Sequence, residues 1–303
     1  MKNPIIDELK KLKLISKSNL ITVSNYTKDK KIKVFKDLKS EIIFLEKFLT
    51  NKEYYSLARN NDKAKKILKK TKKKTEIIKV FNEDIKLLIV EDDYRRFKQF
   101  KNILKNKDIL DFGCGWGGFL RNVKNYKSLS GVEIRTECIN FINRNFKKKI
   151  DLRDNIDSFE KKFDIITMFH VLEHIPYQIN TLKILKSKLK NKGKIIIEVP
   201  HAKDFLILQD ELKEFKNFTF WSEHLILHTY KSLKTILKKA GFKNINIQYY
   251  QRYNFSNHLG WFLKRKPGGH DYYKEIIGEK LNISYCENLK KIGQTDTLIA
   301  IAE

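Results

Sequence analysis

The sequence predicts an α/β fold, a mostly parallel sheet with helices on both faces. Three observations carry this. Short apolar runs alternate with amphipathic segments from residue 108 onward, the first run passes through a glycine-rich loop into a helix, and the chain closes on a pair of strands. Residues 1–106 precede this pattern and form an N-terminal α+β extension; residues 107–303 carry the main domain.

Within the extension, Lys31–Lys36 alternates polar and apolar residues, Asp37–Ser40 makes a turn and Glu41–Leu45 returns, which predicts a β-hairpin. Helices are expected over Asn51–Lys74 and Asp92–Asn106. In the main domain, Asp108 opens a buried strand through Ile109 and Leu110, and Phe119 starts the following helix. Leu129–Ile134, Ile150–Arg153, Phe163–His170 and Gly193–Pro200 are the next four strands, the last entered through a Lys-Asn-Lys-Gly turn. Between the last two, Ile179–Leu189 has apolar residues at helical spacing. Lys231–Ala240 repeats the pattern and stops at Gly241, a good helix C-cap. Ile245–Tyr250 and Thr297–Ala302 complete seven strands, separated by an insertion over 252–294 where a minimal fold has a hairpin.

A chain of 303 residues can bury a full core. Its three cysteines show no pairing or metal-site spacing and fit a reducing, cytoplasmic setting, and no apolar run reaches membrane-spanning length. The net charge of +27 invites a nucleic-acid reading, but only 9 of the 63 basic residues are arginine, the residue suited to bidentate phosphate contacts. Nine lysines fall in Lys63–Lys79, where helical spacing puts most amines in solvent. No stable nucleic-acid partner is therefore expected.

The loop Gly113-Cys-Gly-Trp-Gly-Gly118 lets a ligand approach the backbone. Its spacing also satisfies the dinucleotide fingerprint, so glycines alone do not separate a nicotinamide-dependent oxidoreductase from other cofactor users. Asp111 discriminates. A carboxylate just before the first glycine repels pyrophosphate and welcomes a cation, such as the sulfonium and ammonium of S-adenosylmethionine. Glu133, 18 residues beyond Gly115, can accept both ribose hydroxyls, a role shared with the dinucleotide fold.

Leu110–Gly117 resembles the first motif of the class I S-adenosylmethionine-dependent methyltransferases, whose Rossmann-like sheet has seven strands, the final one antiparallel. The resemblance implies that Asp111, Gly113, Cys114, Gly115 and Gly117 cradle the methionine part of the cofactor and that Glu133 and Ile134 hold its ribose. It further places Asn155 and Ile156 beside the adenine and His170 at the pocket. Val199–Asp204 and Phe220–His224 look like methyltransferases found with surface-polysaccharide biosynthesis, within the ubiquinone-type group. In related sugar methyltransferases a hairpin near the N-terminus often carries cysteine zinc ligands; this chain has none there, leaving substrate capture or dimer contact for residues 1–106.

Methyl transfer from a sulfonium is an in-line displacement, and a base is needed when the acceptor is a hydroxyl or a protonated amine. His174 is the candidate base, with Glu173 beside it; the same pair could merely shape the cofactor pocket. His170-Val-Leu-Glu-His174 spells an inverted zinc-protease motif but straddles a strand end rather than a helix. It is closer to the E-x-x-E-H magnesium or manganese site of some ubiquinone-pathway and small-RNA methyltransferases, with His170 in place of an oxygen ligand, so no metal is expected.

His201, Trp221 and His224 are candidate substrate contacts, Phe220 and Trp221 being equally readable as loop anchors. His224 and His228 could share a helix face. The insertion adds Arg252, His258 and His270, and caps the acceptor site or serves as a homodimer contact. The expected activity is methyl transfer to a sugar hydroxyl on a nucleotide- or lipid-linked glycan intermediate. The alternatives are a quinone precursor, RNA or protein as acceptor, a non-catalytic cofactor-binding protein, or an NAD-dependent oxidoreductase.

Overall fold

A computed structural model of the chain describes residues 2–49, 89–270, 272, 273 and 275–303. The helix expected over Asn51–Lys74 and the lysine run over 63–79 lie outside these residues. The described elements begin with α1 (Ile5–Lys11), β1 (Leu20–Ser24), β2 (Val34–Asp37), β3 (Ile43–Leu45) and α2 (Ile89–Leu104). Next come β4 (Asp108–Phe112), α3 (Gly118–Asn122), β5 (Ser128–Val132), α4 (Thr136–Asn145), β6 (Asp151–Arg153) and β7 (Phe163–Phe169). The chain continues with α5 (Gln178–Ser187), β8 (Leu189–Pro200), α6 (Lys213–Thr219), β9 (Ile226–Leu227), α7 (Tyr230–Lys239) and β10 (Asn246–Tyr250). The last elements are α8 (Phe255–Lys264), α9 (Glu279–Ile292) and β11 (Thr297–Ala302).

Seven strands form one sheet in the order β10-β11-β8-β7-β4-β5-β6. β4 runs parallel to β5 and β7, β5 runs parallel to β6, and β10 pairs antiparallel with β11. A second sheet has the order β1-β2-β3-β9, with β2 and β3 in antiparallel register from Val34↔Leu45 to Lys36↔Ile43. The described residues divide into two compact units, one within residues 50–169 and 187–195, the other within residues 1–49, 170–186 and 196–303.

The first of these holds the central parallel strands. Ile109, Leu110 and Ile166 are fully buried, as expected of strands covered on both faces. Phe169 at the end of β7 meets Phe100 of α2 at 6.2 Å and Phe119 of α3 at 4.9 Å, so both helices are anchored at the strand ends. At the opposite strand ends, Lys190 bonds Asp164 at 2.9 Å and also Asp108, tying β8, β7 and β4 together. The Lys-Asn-Lys-Gly turn expected before β8 lies within that strand, with Lys192 in a left-handed backbone conformation (φ +60°).

In the other unit, the small sheet packs Val34, Ile43, Leu45 and Leu227 against Leu206, Phe220 and Trp261. Phe220 is 3% exposed, which makes it a core anchor. Asn3 Nδ2 fastens the N-terminus by donating to the carbonyls of Leu45 and Leu225, each at 2.9 Å. Helix α7 starts at a capping box between Thr229 and Ser232, and Gly241 follows its end at φ +93°. His224 and His228 share no helix face. Ile226 and Leu227 between them are extended and pair with β3, a period of two rather than 3.6.

Candidate active site

The glycine loop after β4 is pinned to β5: the N–H groups of Gly113 and Cys114 both donate to the Val132 carbonyl, at 2.8 and 3.0 Å. Gly115 (φ +55°) and Gly117 (φ +74°) then turn the chain through left-handed backbone into α3. Asp111 is 4% exposed and accepts the Thr167 hydroxyl at 2.7 Å. Burial pushes its carboxyl up to about 7; the Thr167 bond opposes this and the nearby Asp93 charge adds to it.

Glu133 follows β5 and is held on all sides. Its Oε1 accepts the Arg135 backbone N–H at 3.0 Å and Nε–H at 2.9 Å, and its Oε2 accepts Gly115 N–H at 2.8 Å and Arg135 Nη2 at 3.1 Å. Helix α2 contributes Asp93, which pairs with Arg96 at 3.1 Å and lies so close to Gly118 that a Cβ there would sit 1.9 Å from the carboxylate. Burial pushes Asp93 up to about 6 against the pull of Arg96. Asn155 caps the short turn Ile156–Ser158 through Asp157 N–H at 3.1 Å; Ile156 is buried and Ile134 exposed.

In the second unit, His170 begins a charged cluster in a left-handed conformation (φ +54°), with its N–H donating to the Glu198 carbonyl at 2.8 Å. Its Nδ1 lies 3.1 Å from Glu173 Oε1, and its Nε2 lies 3.2 Å from both Glu198 Oε1 and Arg252 Nη1. Burial alone would lower the His170 pKa, but the two carboxylates outweigh it and raise the net value. Burial likewise works to raise Glu173, and the His170 bond reverses it, leaving Glu173 below the usual carboxylate range.

Glu173 Oε2 is buried without a described partner. Ligand atoms of Glu173, His174 and His224 all lie within 4.8 Å of one another, and the two imidazoles meet edge-on with centroids 4.9 Å apart. One carboxylate and two imidazoles could hold a divalent cation. His224 also lines a small apolar pocket with Val34, Phe44, Leu45, Phe220 and Trp221.

The remaining sequence candidates have distinct places. His201 is 1% exposed with Nδ1 at 2.8 Å from the Thr295 carbonyl, and His258 is 1% exposed between Gln251 and Tyr285. Both support their neighbours from the interior. Trp221 is exposed with the Lys28 ammonium 4.0 Å above its ring, while His270 lies 3.4 Å from Asn257. Sequence reasoning missed Asp93, Arg96, Arg135, Thr167 and Glu198. The i, i+3 pairing of Asp93 with Arg96, and an arginine two positions after Glu133, were the available signals.

Left-handed glycines following a buried strand-end carboxylate, with a second carboxylate after the next parallel strand, form the kind of loop that takes nucleotide cofactors at the strand ends of open α/β sheets. Residues 87–247, more than half of the chain, match the Methyltransf_23 family, described as a methyltransferase domain, and the chain belongs to that family. Its cofactor is S-adenosylmethionine, and the cradle fits it: the turn can take the methionine tail and Asp111 can face a cation.

The chain is 29% identical over 175 residues to a tRNA U34 carboxymethyltransferase of Nautilia profundicola, covering 52% of this chain and 56% of the relative. It is 31% identical to a ubiquinone biosynthesis O-methyltransferase of Actinobacillus pleuropneumoniae over 32% of this chain and 47% of the relative. The chain thus spans about half the length of these curated relatives. Its fold matches phosphoethanolamine N-methyltransferase 2 of Haemonchus contortus, solved in complex with S-adenosyl-L-methionine, with a TM-score of 0.52 at 14% identity over 86% of this chain and 61% of that one.

Proposed function

We propose that this chain transfers the methyl group of S-adenosylmethionine to a hydroxyl oxygen, with His174 taking the proton. The convergence of His174, Glu173 and His224 carries this reading, because it sets a basic nitrogen beside a carboxylate that can stabilise the imidazolium formed. When bound, the cofactor supplies an electrophilic methyl carbon on sulfur. His174 would receive the acceptor's hydroxyl proton as the methyl group passes from sulfur to oxygen, and Glu173 would stabilise the resulting imidazolium. A divalent cation on the same three side chains would serve by lowering the acceptor's pKa, a second route to the same proton loss that rests on the same ligand distances.

The acceptor follows from two lines of support. The likeness of Val199–Asp204 and Phe220–His224 to polysaccharide-associated methyltransferases favours a sugar hydroxyl on a nucleotide- or lipid-linked intermediate. Relatives named tRNA U34 carboxymethyltransferase favour RNA, and the charge of +27 would assist such binding at low salt. Calorimetry with S-adenosylmethionine and NAD, then transfer of labelled methyl to nucleotide sugars and to unmodified tRNA, tests both. Cofactor binding with sugar labelling supports the first acceptor, tRNA labelling replaces it with the second, and NAD binding alone sinks the methyltransferase reading.

A further inference from the structure

A hydrogen-bond chain that runs from Gln251 into the 252–294 insertion has a fixed direction. Asp296 N–H donates to Gln251 Oε1 at 3.1 Å and Gln251 Nε2 donates to the Tyr253 carbonyl at 2.9 Å, which fixes the orientation of the amide. Gln251 Nε2 also lies 3.1 Å from His258 Nε2, so that ring nitrogen must be the acceptor. Burial holds His258 neutral, pushing it down to about 3. Its single proton therefore sits on Nδ1, 2.7 Å from the Tyr285 oxygen, and Tyr285 accepts. The phenol's own hydrogen is left pointing elsewhere, and no described side chain takes it.

A second group is similarly placed. Asp204 is 7% exposed, its Oδ1 accepts Leu206 N–H at 2.8 Å, and no described donor reaches Oδ2. Next to it in the chain, Phe205 stacks on His258 at 6.0 Å with the rings 2° from parallel. Topology brings these residues to one set of strand ends. His201 N–H, just past β8, bonds the Asp296 carbonyl, and Tyr250 at the end of β10 is in register with Thr297 at the start of β11. The ends of such strands are where open α/β sheets take their ligands.

We propose that Tyr285 of the insertion and Asp204 form an acceptor subsite that reads a neutral hydroxyl group, the phenol donating to the acceptor's oxygen and the carboxyl group receiving its hydrogen. The assignment rests on the methyltransferase reading above and narrows its substrate class to one with an uncharged polyhydroxyl portion. The charge balance favours this class over a phosphate. Asp296 accepts from Arg252 N–H, Tyr253 N–H and the Thr297 hydroxyl, a donor set that suits an ionised carboxylate. Burial, with the Asp296 charge adding to it, pushes Asp204 up to about 8, so its surroundings already disfavour negative charge and would disfavour an incoming anion in the same way. Gln251 and His258 are spent on orienting Tyr285, which makes them positioning residues.

The test uses the whole chain saturated with S-adenosylhomocysteine and labelled with ring-13C tyrosine and 15N histidine. The probes are methyl glycosides of glucose, galactose, mannose, rhamnose, fucose and N-acetylglucosamine, with uridine and inorganic phosphate as contrasts. His258 should show a protonated Nδ1 and a bare Nε2 from pH 5 to 8. At least one glycoside should shift the Tyr285 ring signal, and Tyr285→Phe and Asp204→Asn should each weaken that glycoside's binding by about fivefold or more. S-Adenosylhomocysteine affinity measured on each variant reports folding and tests the parent reading separately. Failure of the wild-type chain to bind S-adenosylhomocysteine would overturn that parent reading. Cofactor binding with no glycoside shift, shifts from uridine or phosphate alone, or the opposite His258 tautomer would overturn the subsite.

Discussion

Position and resemblance both point Glu133 to the ribose, yet its two oxygens already accept four N–H donors, three of them from Arg135. Two ribose hydroxyls need the lone pairs that the guanidinium occupies, so cofactor binding at this carboxylate competes with a buried ion pair. Arg135→Ala is therefore expected to tighten S-adenosylmethionine binding by roughly three- to tenfold, the scale of one or two net hydrogen bonds. Calorimetry decides it: equal or weaker affinity in the variant would mean that Arg135 assists the cofactor. Asp111 gives a second residue-level expectation. With its carboxyl pushed up to about 7, the charged form that attracts a cation grows as pH rises from 6 to 7. Binding should strengthen across that window and release protons, detectable as a dependence of the calorimetric heat on buffer ionisation enthalpy. A pH-independent affinity would remove Asp111 from the cation's surroundings.

Helix α2 and the start of α3 are locked by a contact with no slack. A Cβ at Gly118 would sit 1.9 Å from Asp93 Oδ2 and 2.9 Å from its Cγ, and the short Asp93 side chain is itself held by Arg96. Gly118→Ala should cost about 1–3 kcal/mol, and the added change Asp93→Ala should restore part of the loss; denaturant melts of the single and double variants measure both. Additive losses would show that the two residues do not touch. This contact also marks where the sequence stopped being legible. The succession of strands along the chain, the Gly113–Gly117 turn and the approximate bounds of α5 and α7 follow from apolar periodicity and turn chemistry, which are local. Gly118 looked like one more loop glycine because its reason lies 25 residues upstream. Glu198 reads only as part of a strand, although it meets His170 across 28 residues, and the two residues of β9 carry no period, which left a shared helix face open for His224 and His228. The His174 and His224 pairing was hidden for the same reason: ligands 50 residues apart meet through the fold, not through spacing.

Across the whole molecule, two sets of buried titratable groups pull stability in opposite directions with pH. Burial pushes His201 and His228 down to about 4 and His258 to about 3, below the ordinary histidine value near 6.5, so the stability tied to their neutral forms is complete above that value and is lost as pH falls toward 4. The carboxyl groups act the other way. Asp93, Asp111 and Asp204 stand at about 6, 7 and 8, above the 3.8 of an unburied aspartate, so the folded chain binds the extra protons and loses stability as pH rises through each value. Between pH 4 and 6 the two sets largely offset. Above pH 6.5 the histidines have no more to give, while Asp111 and Asp204 continue to ionise, and the loss of the raised His170 proton acts in the same direction. Tm should thus fall between pH 6.5 and 8.5 by a few degrees, the scale of about 1–3 kcal/mol. Asp204→Asn should flatten that slope most, since Asp204 titrates furthest into the window. Melting curves at matched ionic strength are the measurement, and an equally steep fall in the variant would show that Asp204 does not carry the alkaline loss.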